Sequence, residues 1–439
     1  TYPWRVMNVQ RSRSRFCGTA LGGVAGLACL SLVHSAYALP EGGVVAGGDI
    51  AVRPVSSEHL RIEQRSARGI VNWQSFDVAP HEKVHFQQPS SSSVTLNRVV
   101  GSEHRASQIM GRLSATGQVA IVNPSGVVFG PSAQVDVAGL AATSANISDQ
   151  AFMAGGGRFD QPGRRDAAIV NEGSISIREA GLAALVAPHV RNQGHITANM
   201  GTIALAGGDK ATIDFAGKGL LDVAVDDATL SAAARNHGVL TAAGGHVTLT
   251  AEAATRLAGS LVDNAGLITV SSAAGKGGTV TLTASDVHLS GAIAADGHTG
   301  GGKVFVGGDY LGGKGEKRYS PRPVKTAKRV VMTQPARISA SATHAGDGGV
   351  AIVWSDEYTA FHGAIEARGG PSGGDGGFIE TSSLDNLQAF GTAHADAPMG
   401  KAGTWLLDPH NVTITSSTSG GSFSGGNPDT FTPTADSAQ

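Results

Sequence analysis

Apolar and polar side chains alternate with a period of two through much of the chain, in runs too short for helices and punctuated by glycine. Four segments share one pattern: Asn171-Glu-Gly-Ser-Ile-Ser-Ile, Asn192-Gln-Gly-His-Ile-Thr-Ala, Asn236-His-Gly-Val-Leu-Thr-Ala and Asn264-Ala-Gly-Leu-Ile-Thr-Val. Each Asn-x-Gly predicts a turn, and each is followed by a strand with an aliphatic residue (Ile175, Ile196, Leu240, Ile268) and then Ser or Thr. A second strand pattern follows: Gly201-Thr-Ile-Ala-Leu, Gly245-His-Val-Thr-Leu, Gly278-Thr-Val-Thr-Leu and Gly302-Lys-Val-Phe-Val.

Such repeats predict a coil of ~20–25 residues that cannot bury its apolar side alone but can stack on copies of itself. Stacking pairs the backbone of each coil with the next and makes a continuous Val/Ile/Leu core. The expected fold is all-β, a right-handed single-stranded parallel β-helix with an N-terminal cap near Leu39 to Leu60 that covers the open end. The repeat asparagines are expected to stack into a hydrogen-bonded ladder. Their spacings of 21, 44 and 28 residues suggest one and two multiples of a 21–22 residue unit, with one irregular step. Before loops are subtracted, the chain length predicts on the order of fifteen or more coils and a stack of roughly 70–90 Å. Sandwich and propeller folds fit the repeat length less well.

Composition agrees with a turn-rich solenoid, since 62 of 439 residues are Gly. Only 15% are charged and 5% aromatic, while 41% are hydrophobic, which excludes a disordered chain. The first stretch reads as an export signal at residues 1–38: Arg11, Arg13 and Arg15, an apolar run from Phe16 to Val33, then Ala36-Tyr37-Ala38 as the cleavage pattern, with Ala36 and Ala38 as its small residues. Cys17 and Cys29 both lie within it, so the mature chain is expected to carry no disulfide and no thiolate metal site. Removing the four arginines of that segment takes the formal charge from −2 to −6, which argues against nucleic acid as the main partner.

Several motifs have a chemical look. His81-Glu82-Lys83-Val84-His85 matches H-E-x-x-H, whose metal chemistry needs a helix. Pro80 and the alternation of Val84 and Phe86 with His85 and Gln87 predict a strand instead, with the two imidazoles ~13 Å apart, too far to share a zinc ion. Asn123-Pro124-Ser125-Gly126 has the residue order of a type I turn between strands. Asn146-Ile-Ser and Asn411-Val-Thr match the N-glycosylation acceptor triplet. Residues 307–334 interrupt the repeats with Lys314, Lys317, Arg318, Arg322, Lys325, Lys328 and Arg329 against the single acid Glu316. They predict a protruding solvated loop or a polyanion-binding patch. From 416 to 439 the chain is Ser/Gly/Pro-rich and reads as a tail or linker. No metal or other cofactor is expected.

The stretch Asn72-Trp-Gln-Ser-Phe-Asp-Val, Val84-His-Phe-Gln-Gln-Pro, Thr95-Leu-Asn-Arg-Val, Ile109-Met-Gly-Arg-Leu and Val119-Ala-Ile-Val-Asn-Pro-Ser-Gly-Val-Val-Phe-Gly closely resembles the haemagglutination-activity, or two-partner secretion, domain of filamentous haemagglutinin-type exoproteins. Gly376-Gly-Phe-Ile-Glu-Thr-Ser and Gly403-Thr-Trp-Leu-Leu-Asp-Pro are similar to segments found downstream in the same adhesins. The resemblance implies a secretion domain at 39–230, a β-helical extension at 231–415, and export through the periplasm by a dedicated outer-membrane transporter barrel. It implies a Gram-negative protein, secreted or held at the cell surface, that is a non-enzymatic adhesin or haemagglutinin with a host-cell or glycan receptor. It also marks Asn97 and the turn residues Asn123, Pro124 and Gly126 for transporter recognition; Ser125 stands where the family has a second asparagine. Alternatives are a haemolysin, the stalk of a contact-dependent toxin and, since β-helices also host carbohydrate chemistry, a polysaccharide lyase.

Overall fold

The structure, a computed structural model, describes residues 39–215, 221–224, 231–253, 259–314, 317–409, 421–423 and 431–433. The first twelve strands are β1 (Val44–Gly47), β2 (Ile50–Ser56), β3 (His59–Gln64), β4 (Arg68–Trp73), β5 (Lys83–Gln87), β6 (Val94–Val99), β7 (Ser107–Ile109), β8 (Arg112–Ala115), β9 (Gln118–Val122), β10 (Gly126–Phe129), β11 (Gln134–Val137) and β12 (Gly139–Thr143). One coil runs β9, β10, β11, and β12 then returns to lie parallel to β9 with Gly139 opposite Gln118. Each coil thus has three sides, and among the described residues the chain builds three long sheets of 13, 10 and 13 strands, parallel except where β1 and β2 join. The fold is the expected parallel β-helix.

Alternation explains what each side buries. In the second and third sheets every other residue points inward, as Val135 and Val137 do from β11, while Gln134 and Asp136 face solvent. The inward side chains from all three sheets form one core cluster that extends from Leu60 to Ile379. The first sheet differs, because β9 and β12 are buried on both faces. Continuous apolar runs of this kind mark sheets covered on both sides.

At the N-terminal end, β1 pairs antiparallel with β4 and β2 antiparallel with β3, so the first parallel coil does not end in an open row of backbone groups. This is the expected cap. Asn171, Asn192, Asn236 and Asn264 occupy successive rungs in register and are fully buried. The amide of each donates to the side-chain oxygen of the next, at 2.7, 2.8 and 2.8 Å. The glycines two residues on are equally constrained, since a Cβ on Gly194, Gly238 or Gly266 would overlap the carbonyl oxygen of the glycine one coil earlier.

Two expectations need correction. The 44-residue gap between Asn192 and Asn236 is one coil, because these residues face each other directly. The extra length leaves the helix at a corner and includes strand Lys210–Ile213, paired antiparallel with Leu221–Ala224. A corner can emit a long excursion without shifting the register on either side. Once such excursions are subtracted, the first sheet has thirteen strands among the described residues, the cap strand included, against the fifteen or more coils that the whole length allows, and spans roughly 55–60 Å of stacked rungs. Among the described residues no helix is long and apolar enough to cross a membrane.

Candidate functional site

Asn97 and Asn123 are both buried and both spend their amides on backbone. On β6, Asn97 accepts from the indole nitrogen of Trp73 at 3.1 Å and donates to the carbonyl of Ala120 at 3.3 Å, joining three consecutive rungs of the first sheet. Asn123 follows β9. Its Nδ2 donates to the carbonyl of Arg105 and to the hydroxyl of Ser107, each at 3.0 Å, while its Oδ1 accepts from the backbone N–H of Ser125 at 2.9 Å. The Gly126 N–H closes the turn on the Asn123 carbonyl at 2.8 Å, and Gly126 sits at φ +106° where a Cβ would strike the Ala168 carbonyl. Pro124 is exposed and Ser125 half-buried, so the two central residues are the part of the turn that faces outward.

Beside the turn lies a cleft of about 230 Å³ lined by Phe76, Asp77, Val100, His104, Arg105 and Pro124, among others. Its floor is fixed by an ion pair between Arg105 and the buried Asp77, whose other oxygen accepts the Gln108 N–H at 2.7 Å. Hydrogen bonds to Asp77, and then to Glu103, hold the Arg105 guanidinium above its usual range. The Asn123 turn and the 100–108 loop are therefore one unit, locked by a side chain from each.

Sequence reasoning did not single out Arg98 or Arg68, which fasten an outer layer onto the first sheet. That layer comprises helix α1 (Asp149–Met153), strand Arg158–Phe159 and strand Lys210–Ile213, and it places Phe152, Phe159 and Phe215 over the outward side chains of β6, β9 and β12. Arg98 is 9% exposed and donates to Asn146 Oδ1 at 2.7 Å, to Asp149 at 2.7 Å and to the Ile147 carbonyl at 2.8 Å. Arg68 donates to the Phe152 carbonyl at 3.0 Å and lies 5.0 Å from the Phe152 ring centre. The signal was an arginine on an outward row otherwise made of Leu96, Ala120 and Val122. With its side chain held by Arg98 and by Gln161, Asn146 is a structural residue in the folded chain. Asn411 lies outside the described residues, as do Ala36 and Ala38.

His85 lies on strand β5 as the alternation required, and its Nδ1 meets the Ser114 hydroxyl at 2.9 Å. Glu82 is buried and accepts the Ala79 N–H, so neither residue adopts a metalloprotease arrangement.

The basic stretch is not one solvated loop. Residues 329–332 form a strand of the second sheet, in register with Asp286–Leu289, and Arg329 pairs with Asp286 at 2.6 Å. Lys325 pairs with Glu252 at 2.5 Å, and the Lys317 ammonium lies 4.3 Å above the Tyr319 ring. Lys314, Lys325 and Lys328 share a cleft of about 630 Å³ with Glu252, Asp356 and Glu357, while Arg318 borders a neighbouring one. Arg322 is also engaged within the fold. Underneath, the loop covers Phe305, Ile352 and Trp354, and its turn is held by two buried acids. Asp309 accepts the N–H groups of Tyr310, Tyr319 and Ser320, and Glu380 accepts that of Leu311. Burial pushes the Glu380 carboxyl up to about 7.

A capped three-sided β-helix whose first sheet is fastened under an outer layer, with an Asn-Pro turn locked beside it, defines a secretion-domain architecture. Residues 36–302 match the TPS secretion domain family, and the chain belongs to that family of two-partner secretion exoproteins, which a dedicated transporter exports across the outer membrane to the cell surface or medium. The chain is 33% identical over 263 residues to a heme/hemopexin-binding protein of Haemophilus influenzae strain Rd, and 28% identical over 264 residues to another so named from that species. These matches take in 58% and 55% of this chain and 28% of each relative, so the chain spans under a third of their length. The crystal structure of the HMW1 secretion domain from Haemophilus influenzae superposes with a TM-score of 0.65 at 27% identity, covering 84% of this chain and all of that one.

Proposed function

We propose that this chain is the export module and first part of the shaft of a surface adhesin, and that Asn97 and Asn123 serve export by shaping the chain rather than by touching the transporter. The observation that carries this is the burial of both amides, each bonded to neighbouring segments. The exposed Pro124 and Ser125, together with the cleft beside them, are what the turn offers a transporter's periplasmic region. Export then needs no energy source in the periplasm, because each coil folding outside templates the next and draws the chain through the pore.

Asn123→Ile tests this. The precursor is expected to reach the periplasm and to be released into the medium far less than wild type; equal release counts against the turn. Ser125→Asn, which restores the family's usual residue, is expected to leave release unchanged or improved. We read the whole protein as a non-enzyme that acts through binding, with adhesion to host cells as the first reading. The name shared by the two relatives makes binding of heme or hemopexin the second. Retention of heme and of hemopexin by cells displaying the full-length exoprotein, compared with their adherence to epithelial monolayers, separates the two.

A further inference from the structure

We propose that the outer face of the third sheet, at its capped end, binds an acidic extended protein segment of the kind a transporter's periplasmic region would present; this rests on the export reading above. Strand register places Arg53, Arg61 and His85 in one column and His59, Lys83 and Arg112 in the next. Six basic side chains thus occupy two adjacent columns over β2, β3, β5 and β8. Rungs lie ~4.8 Å apart and the columns ~6.7 Å apart.

Four of the six, Arg53, Arg61, Lys83 and Arg112, carry lasting charge, and like charges directly opposite one another across strands, as in Arg53–Arg61 and Lys83–Arg112, oppose folding. The β-helix itself does not require them, since the same two columns continue as Gln134, Ser174 and His195 and as Ser114, Asp136 and Ser176. Compensation is slight. Glu63 accepts from Arg53 at 2.9 Å and lies 3.9 Å from Arg61, and Glu58 stands at the hairpin turn. Burial and the positive field of Arg61, His59 and Arg178 together hold the His85 imidazole below its usual range. The Arg61 Nε is buried and has no hydrogen-bond partner. Arg53, Lys83 and Arg112 are exposed.

The lattice selects the shape of the partner. A strand lying along β3 and β5 places alternate side chains ~6.7 Å apart, the same interval as the two columns, so carboxylates at every second position meet both. Guanidinium forks favour paired carboxylate oxygens over a diffuse negative surface.

The test titrates the full chain with a synthetic peptide of alternating glutamate and serine. Expected is measurable binding at about 50 mM salt that weakens at least ten-fold by about 300 mM. The variant Arg61→Gln/Lys83→Gln/Arg112→Gln should lose about ten-fold in affinity, whereas Lys314→Gln/Lys317→Gln/Arg318→Gln should bind as wild type. Circular dichroism melts of the three proteins establish that the fold is retained, and Arg61→Lys/Arg112→Lys should restore part of the binding. Equal binding by the lattice variant overturns the proposal, as does a wild type that ignores the peptide but is retained by phosphatidylglycerol vesicles or heparin. In cells the two readings separate. Wild-type release that does not need the transporter defeats the export reading, while transporter-dependent release with the lattice variant released at the wild-type level defeats this inference alone.

Discussion

The outer face of the first sheet is covered twice, near its start and near its end, and the two covers are held by opposite chemistry. In the first, positive side chains rise from the sheet: Arg68 and Arg98 reach up and bind the carbonyls and side chains of the layer above. In the second, carboxylates are buried beneath the loop, and Asp309 and Glu380 accept its N–H groups. Both covers hide apolar rows, yet guanidinium groups stay charged at any physiological pH while a buried carboxyl does not. The clamp of the first cover is therefore indifferent to pH. That of the second is expected to respond to pH through Glu380.

Removing the clamp of the first cover should have the largest effect. Arg98→Met leaves Asn146, the Ile147 carbonyl and the half-exposed Asp149 without their donor, and the loss of several charged hydrogen bonds is expected to cost about 3–4 kcal/mol in urea unfolding, with new proteolytic nicking around 145–165. A loss below about 1 kcal/mol would mean that the phenylalanines alone hold the layer.

For the second cover the decisive variable is pH. The Glu380 carboxyl is raised from 4.5 to about 7, so between those values the unfolded chain has released a proton that the folded chain keeps, and stability falls as pH rises through that window. Glu380→Gln should remove this slope and leave the variant up to about 3 kcal/mol more stable than wild type at pH 8. An unchanged slope would remove Glu380 from the account.

The asparagine ladder runs along the second sheet, on another side of the coil. Asn236→Leu strands the donor of Asn192 and the acceptor of Asn264, at about 2 kcal/mol by chemical denaturation, whereas Asn264→Leu should cost about half as much because the next rung is already Leu289. Equal costs would show that the ladder is not read in that order. Smallest is Lys325→Ala, which loses a pair that is largely exposed and should change stability by under about 0.5 kcal/mol.

Much of the fold was legible beforehand because side-chain alternation and repeated Asn-x-Gly turns report local geometry, and stacking converts that geometry into register. The ladder, the second strand set and the cap follow from that. Coil number did not, since an excursion leaves no mark in the repeat other than added length: the 44-residue step looked like two coils and is one. Of the site, the Asn123 turn was readable from its residue order, and Arg98 was not, because its partners lie about fifty residues away at Asn146 and Asp149. The basic stretch misled for a similar reason, as the acids that pair with Lys325 and Arg329 sit on earlier coils.

The sequence alone determined that this chain winds and which side chains of each repeat face the core, since both depend on neighbours within a few residues. Only the tertiary structure decided which outward faces are covered and by what. Along one outward column of the first sheet the residues run Ala184, Ala204, Thr248, Thr281, Phe305, Ile352 and Glu380. These residues are dispersed through some two hundred positions and become a pattern of covered, open and covered again only when coils bring them to ~4.8 Å spacing.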